Sequence, residues 1–334
     1  MNKEVDPMTH PLRFSANINT FNACADRYVL SGYGRRLSTE ELIQEATKVE
    51  GLTGVELVGM WHVNDDNLAQ VQRRIRDAGF VVSCVTPDIW ASGKWGWGSF
   101  SASDARIRRE AIQEVKRSME WAYQLGCDVV DLWFGQDGYD YPFQADYLAA
   151  WDRIIEGTIE CAEHLPEVNL VIEYKPKEPR THCFIGTVGK TLLLIQKVNK
   201  PNVKAMIDVG HTLMAYEDAA ESAALLHYFG DRLYYMHFND NWRLWDDDMT
   251  VGSVHTVEML ELLYWLDRIG YSGWYALDIF PYRENGVRAA TESIRWIKGL
   301  HGLLDKIGRE RIAQVIASGN AMEATAMIRE ALLG

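Results

Sequence analysis

Eight short β-rich runs, each followed or preceded by an amphipathic helical segment, recur along this chain. They cover 13–17, 54–58, 80–85, 128–133, 169–173, 203–208, 233–237 and 274–278. Strands joined through helices run parallel, because each crossover carries the chain back to the edge it left. Eight such units over about 290 residues predict an α/β fold of one kind, a (β/α)8 TIM barrel filling 12–300. The competing architecture is an open, doubly wound sheet. Its dinucleotide-binding form needs Gly-x-Gly-x-x-Gly after the first strand, and no such motif follows Asn17. Residues 1–11 read as a polar N-terminal tail without the apolar centre of a signal peptide. Residues 301–334 read as a C-terminal helical extension, packed on the barrel or on a neighbouring subunit. Ser38-Thr39-Glu40-Glu41 has the form of a capping box and predicts a helix starting there. Further helices are expected near 67–78 and 104–125.

Composition narrows the function classes. The chain has 334 residues, 47% hydrophobic and 24% charged, which suits a large buried core. Lys and Arg number 34 against 47 Asp and Glu, a net charge of −13. That speaks against nucleic acid or an anionic membrane surface as partner, since both need a basic footprint. No apolar run reaches the roughly 18 residues of a membrane span. The five cysteines, Cys24, Cys84, Cys127, Cys161 and Cys183, are scattered and free of any C-x-x-C. Reduced thiols in a cytoplasmic protein are expected.

The residues at the ends of the late strands carry the chemistry. Glu173, Asp208, His237 and Asp278 each end one of four successive runs. In a barrel those ends meet on one face, where active sites form. Three carboxylates and an imidazole make an oxygen-rich site for Mn²⁺, Mg²⁺ or Co²⁺. Without a cation, like charges packed so closely would repel. His211, Asp246 and Asp248 could hold a second ion, with Asp208 bridging the two. Lys175 would point into the same space and donate to a substrate oxygen. His62 lies three residues before Asp65, a spacing that would let the carboxylate orient the imidazole toward a sugar hydroxyl. Trp90 and Trp133 offer flat walls for the C–H faces of a sugar. Trp95 and Trp97 lie in a Gly-rich loop that reads as a lid or a subunit contact.

Several segments resemble the xylose isomerase-like TIM barrel superfamily, and within it the two-metal sugar isomerases. Trp61-His62-Val63-Asn64-Asp65-Asp66-Asn67-Leu68 resembles the His-Asp-Asp-Asp-Leu segment of xylose isomerase. Gly98 to Asp104 with Arg108-Arg109, and Leu132-Trp133-Phe134-Gly135, resemble two further segments of it. Glu173-Tyr174-Lys175-Pro176-Lys177-Glu178-Pro179-Arg180 is similar to its Glu-x-Lys-Pro-x-Glu-Pro-Arg. His237-Phe238-Asn239-Asp240 and Asp246 to Ser253 resemble the strand-seven loop of rhamnose isomerases of the pseudomonad type. The segment Ile279 to Glu284 departs from both. The resemblance implies a structural metal on Glu173, Asp208, His237 and Asp278. It implies a catalytic metal on His211, Asp246 and Asp248, with Asp208 shared. Two divalent ions per subunit and a homodimer or homotetramer follow from the same source.

The resulting expectation is an aldose–ketose isomerase acting on a free monosaccharide by metal-assisted 1,2-hydride shift. Lys175 would stabilise charge on the carbonyl oxygen, and His62 with Asp65 would assist ring opening. A cis-enediol route competes with the hydride shift. A ketose 3-epimerase, with one metal and two opposed carboxylates, is the first alternative function. A lyase or C-glycoside-cleaving subunit acting on a keto-sugar derivative is another. An abasic-site endonuclease would need more histidines and less negative charge. A non-catalytic sugar-binding or assembly barrel is disfavoured by the intact ligand set, since unpaired acid clusters are costly to maintain.

Overall fold

The computed structural model describes residues 11–334. Pro11 aside, the expected N-terminal tail lies outside the described residues. Eight parallel strands close into a single barrel. They are β1 (Arg13–Asn17), β2 (Leu52–Val58), β3 (Val81–Thr86), β4 (Val129–Trp133), β5 (Asn169–Glu173), β6 (Val203–Asp208), β7 (Leu233–Phe238) and β8 (Trp274–Leu277). Around the barrel the order is β1-β8-β7-β6-β5-β4-β3-β2, so each strand lies beside its neighbours in sequence. The fold is therefore the TIM barrel that the alternation predicts, and the open sheet is excluded by the pairing of β8 with β1.

The strands read as near-continuous apolar runs because both of their faces are covered. In β2 all but one of the seven residues are buried. The helices cover the outside. α1 (Thr39–Ala46) starts at the predicted capping box: Ser38 Oγ accepts from Glu41 N at 3.3 Å, and Glu41 Oε2 accepts from Ser38 N at 2.9 Å. Its apolar positions Leu42, Ile43 and Ala46 face the core. α2 (Leu68–Asp77) and α3 (Ala105–Gln124) follow, the latter burying Ala111, Val115, Met119 and Ala122 at helical spacing. α4 (Tyr147–His164), α5 (Val188–Val198), the short α6 (Val209–Met214), α7 (Ala219–Tyr228) and α8 (Thr256–Ile269) continue the ring. α9 (Gly286–Ile307) closes it. α10 (Arg309–Ser318) and α11 (Ala321–Leu333) are the expected C-terminal helices, and both pack on α9. Arg309 fastens them to α8 through Asp267, at 2.6 Å. No helix among the described residues is long and apolar enough to cross a membrane.

Register sets which strand ends become neighbours. Trp133 of β4 pairs with Glu173 of β5, and Asp208 of β6 pairs with His237 of β7. Inside the barrel, Tyr235 of β7 reaches across to β2 and donates its hydroxyl proton to Glu56 Oε1 at 2.8 Å. Ser83 of β3 and Ser15 of β1 lie 2.9 and 3.2 Å from the same hydroxyl. A polar layer thus stands directly beneath the face where the ligand-type residues gather.

The capping box gives a direct test of local stability. Ser38→Ala removes the acceptor of one otherwise unpaired amide and is expected to destabilise the fold by about 1 kcal/mol. The shift in the midpoint of a urea unfolding curve measures it.

Candidate metal centre

Two groups of donors meet at the C-terminal mouth of the barrel. Ligand atoms of Glu173, Asp208, His237 and Asp278 all lie within 4.8 Å of one another, and so do those of Asp208, His211 and Asp246. Asp208 belongs to both. Three of the first four end β5, β6 and β7 or stand one residue before the end, and Asp278 follows β8 directly. Asp208 also caps α6: its Oδ1 accepts from His211 N at 2.9 Å, which fixes the helix that carries His211. Gly210 stands between them where side chains must pass closely. A Cβ there would lie 2.9 Å from Asn239 Oδ1 and 3.0 Å from Asp246 Oδ1. A side chain there would have to push those groups aside, so glycine lets the β7 loop lie close on α6.

His237 shows how the first group is aimed. Its Nδ1 faces Glu173 Oε1 at 3.1 Å, with Asp208 Oδ2 and Asp278 Oδ2 each 3.8 Å away. Its Nε2 lies 3.1 Å from Glu56 Oε2. A carboxylate behind an imidazole fixes the ring and leaves the other nitrogen for a cation. Sequence reasoning missed Glu56, which sits within β2 and not at its end. A single acid in a buried apolar run was the available signal. It missed Asn239 too, whose Nδ2 lies 2.9 Å from Asp208 Oδ2 and 3.2 Å from Asp248 Oδ1. Asn17 Nδ2 donates to Asp278 Oδ1 at 3.2 Å.

The second group is less open. Asp246 Oδ2 lies 2.9 Å from His211 Nε2 and 2.6 Å from Lys175 Nζ. Lys175 is buried, lies 3.4 Å from Glu178 Oε2, and sits over the Trp133 ring at 5.3 Å. Asp248 lines the same cleft but stands outside both donor groups, held by Asn239. Asp247, between them, turns away and accepts from Trp242 N.

The expected pair of His62 and Asp65 does not form. His62 is buried, its Nδ1 accepts from Val58 N at 2.9 Å, and its Nε2 therefore carries the proton toward Asn19 Oδ1 at 3.1 Å. Asp65 is exposed and accepts from Trp121 Nε1 at 2.7 Å. The turn after β2 folds the ring back on the strand, so the two side chains leave on different sides. His62 does not line the cleft; Asn19, which it holds, does. Burial lowers the His62 pKa to about 4, which keeps the ring neutral. Trp90 and Trp133 do line the cleft, but their indole nitrogens are buried without partners. What these rings offer the cleft is carbon surface.

The Gly-rich loop is anchored. Trp95 is buried and Trp97 is 80% exposed. Ser99 N and Ser101 N donate to the buried Asp137 Oδ1 at 3.0 and 2.6 Å, and Arg180 Nη1 donates to Gly96 O at 2.7 Å.

The protonation states fit a cation. Burial raises the Asp208 carboxyl to about 6 and the Asp278 carboxyl to about 7. Burial and then Asp246 push Asp248 up as well. Burial would lower His211, but Asp208 and Asp246 raise it to about 9. Burial would also lower Lys175, yet Asp246 and Asp248 hold it protonated. His211 Nδ1 and Asp246 Oδ1 are buried without hydrogen-bond partners, the former 3.5 Å from Glu173 Oε1. Carboxyls driven upward beside orphaned donor atoms are what a divalent ion would relieve.

Two measurements follow. Glu56→Gln is expected to weaken divalent-metal affinity about 10- to 100-fold, by chelator competition. A bound ion must displace the protons held by Asp278 and Asp208, whose pKa values are raised. Because His211, raised to about 9, must also shed its proton, affinity is expected to be full only above about pH 9 and to fall as pH drops through about 7 and 6, by titration calorimetry.

Comparison with known proteins places the chain. Three solved structures overlay on most of it. A D-tagatose 3-epimerase-like protein gives a TM-score of 0.68 at 17% identity, covering 88% of this chain and 99% of the other. L-ribulose 3-epimerase gives 0.69 at 14%, covering 92% and 98%. D-psicose 3-epimerase from Clostridium cellulolyticum H10, with D-tagatose, gives 0.66 at 16%, covering 87% and 99%. At these identities the likeness shows a shared fold. Residues 43–300 match the xylose isomerase-like TIM barrel family, and the chain is a member of that family.

Proposed function

We propose that this chain is a divalent-metal-dependent sugar isomerase that interconverts an aldose and its ketose. The supporting observation is the second donor group, Asp208, His211 and Asp246, which shares Asp208 with the group of four. Two adjoining cation sites suit two neighbouring oxygens of one substrate, as O1 and O2 of an open-chain sugar are. The donor set, mostly oxygen with imidazole, suits Mn²⁺, Co²⁺ or Mg²⁺ in two sites per subunit. The ion, when bound, supplies a Lewis acid for the carbonyl oxygen.

The chain's own residues bind and orient. Lys175, kept protonated by Asp246, donates to the negative charge that develops on the carbonyl oxygen. Trp133 and Trp90 take the C–H face of the sugar. Asp131 Oδ1, buried and unpaired at the cleft wall, accepts from a hydroxyl. Asn19, held by the neutral His62, offers its amide to another. His62 therefore acts through Asn19 as a positioning residue. A hydride shift between C1 and C2 needs no side-chain base at carbon.

A ketose 3-epimerase is the second reading. It is favoured by one contact: Lys175 Nζ already lies 2.6 Å from Asp246 Oδ2, supplying a resident cation to the second group. Only the group of four would then hold metal, and Glu173 and Asp278 would exchange the C3 proton. The three similar structures compared above carry 3-epimerase or 3-epimerase-like names, which agrees with it.

Deuterium separates the readings. Manganese-loaded protein is incubated with aldoses and ketoses in D₂O and followed by NMR. Aldose–ketose interconversion with little deuterium at C1 or C2 is expected. Deuterium at C3 with a C3-epimeric product replaces the isomerase by the epimerase. Lys175→Met is expected to lower kcat about 10²- to 10³-fold with the fold intact, by steady-state kinetics and circular dichroism.

A further inference from the structure

The cleft is larger than its proposed reaction needs. It encloses about 790 Å³, toward the upper end of the range that takes drug-sized ligands. A single open-chain sugar fills only the deep part. The remainder is not featureless. Three tryptophans form a continuous wall from the metal centre to the rim. Trp133 carries Lys175 Nζ over its ring at 5.3 Å, Trp90 follows with its centroid 5.1 Å from Trp133, and Trp61 stands a further 5.1 Å from Trp90. Trp133 and Trp90 are half-buried, while Trp61 is 45% exposed.

The outermost ring is fixed in place although no core covers it. Trp61 Nε1 donates to Asp88 Oδ2 at 2.8 Å, and the same carboxylate's Oδ1 accepts from Ala91 N at 2.9 Å. Gln136 Nε2 donates to Trp90 O at 3.0 Å. The wall is therefore preorganised, with carbon surface turned to the cleft. Asn22, Arg36 and Tyr282, from the loops after β1 and β8, line the same cleft and carry hydrogen-bonding groups. Carbon surface together with hydrogen-bonding groups is the chemistry that recognises a sugar ring. The tryptophan surface extends from the metal centre out to the half-exposed Trp61.

We infer that the substrate is a reducing disaccharide, its reducing-end sugar on the metal centre and its second ring against the Trp90–Trp61 step. The inference rests on the proposed function only in placing the reacting carbons at the metals. With C1 and C2 held there, the far hydroxyls of the sugar run along the wall toward Trp61. The second ring is then linked through one of those hydroxyls, and the anomeric carbon of the first stays free to open.

The test measures binding and turnover in parallel. Manganese-loaded protein is titrated calorimetrically with maltose, cellobiose, melibiose and gentiobiose, each beside glucose, and with the non-reducing trehalose. At least one reducing disaccharide is expected to bind about tenfold tighter than glucose or better, with trehalose showing no such gain. Trp61→Ala is expected to bring that ratio close to one, and Trp61→Phe to restore part of it. A ratio near one for every disaccharide overturns the inference, whether or not glucose or another free sugar is isomerised. A ratio that Trp61→Ala leaves unchanged overturns it as well. Tight, Trp61-dependent disaccharide binding without aldose–ketose turnover sustains the inference and removes the isomerase reading instead.

Discussion

The mouth of the barrel is organised by an excess of buried negative charge. Glu56, Asp131, Glu173, Asp208, Asp246, Asp248 and Asp278 meet there, against His211, His237 and Lys175. Two unit charges 4 Å apart repel by about 4 kcal/mol even at the effective dielectric of a protein surface. Seven carboxyls and three cationic side chains cannot all be ionised without help, so protons or metal ions must make up the difference. The raised values of Asp208 and Asp278 are the proton half of that statement. A divalent ion, where bound, would be the other half and would remove the need for the protons.

The rest of the fold keeps this arrangement from relaxing. Parallel strands bring the acids in from below, each at a position that the pairing register dictates. The polar layer under Tyr235 holds Glu56 behind His237, so the imidazole cannot turn away from Glu173. From above, the loop after β7 lies on α6 because Gly210 has no side chain. Asp240 keeps that loop closed by accepting from Val254 N and His255 N at 2.8 and 2.9 Å. Rigid strands supply the group of four, while a packed loop supplies Asp246 and Asp248. That division matches what each does: the strand-borne group is complete, and the loop-borne one shares its acid with Lys175.

Most of the barrel and the inner donors were legible because they follow simple periods. A short apolar run ending in one acid or imidazole, repeated on successive units, leaves few places for those residues to go. Glu56 escaped because it sits mid-strand, where an inward-facing acid looks like an irregularity until the partner across the barrel is known. Asn239 continues the alternation that turns His237 inward, but an amide two residues on has no signature of its own. His62 and Asp65 failed for a different reason. Their spacing of three suits a pair on one face of a turn, yet the Val58 amide captured the imidazole first and Trp121 took the carboxylate. Local backbone hydrogen bonds outrank side-chain spacing when the ring is buried.

If the tryptophan wall takes a second sugar ring as proposed, it bears on catalysis as well as on recognition. Interactions made equally with substrate and transition state tighten binding without speeding the chemical step. A second ring held at Trp61, far from the reacting carbons, is useful only if its binding energy is spent on orienting the first. The geometry permits that. Trp133 touches Lys175 on one side and Trp90 on the other, so a ligand pressed along the wall bears on the ammonium group beside Asp246. Lys175 Nζ also lies 2.6 Å from Asp246 Oδ2, an acid of the second donor group, where it would compete with a cation. Occupancy of the outer wall and the charge state of the inner site thus meet in one side chain, which neither the strand ends nor the aromatic positions could have indicated separately.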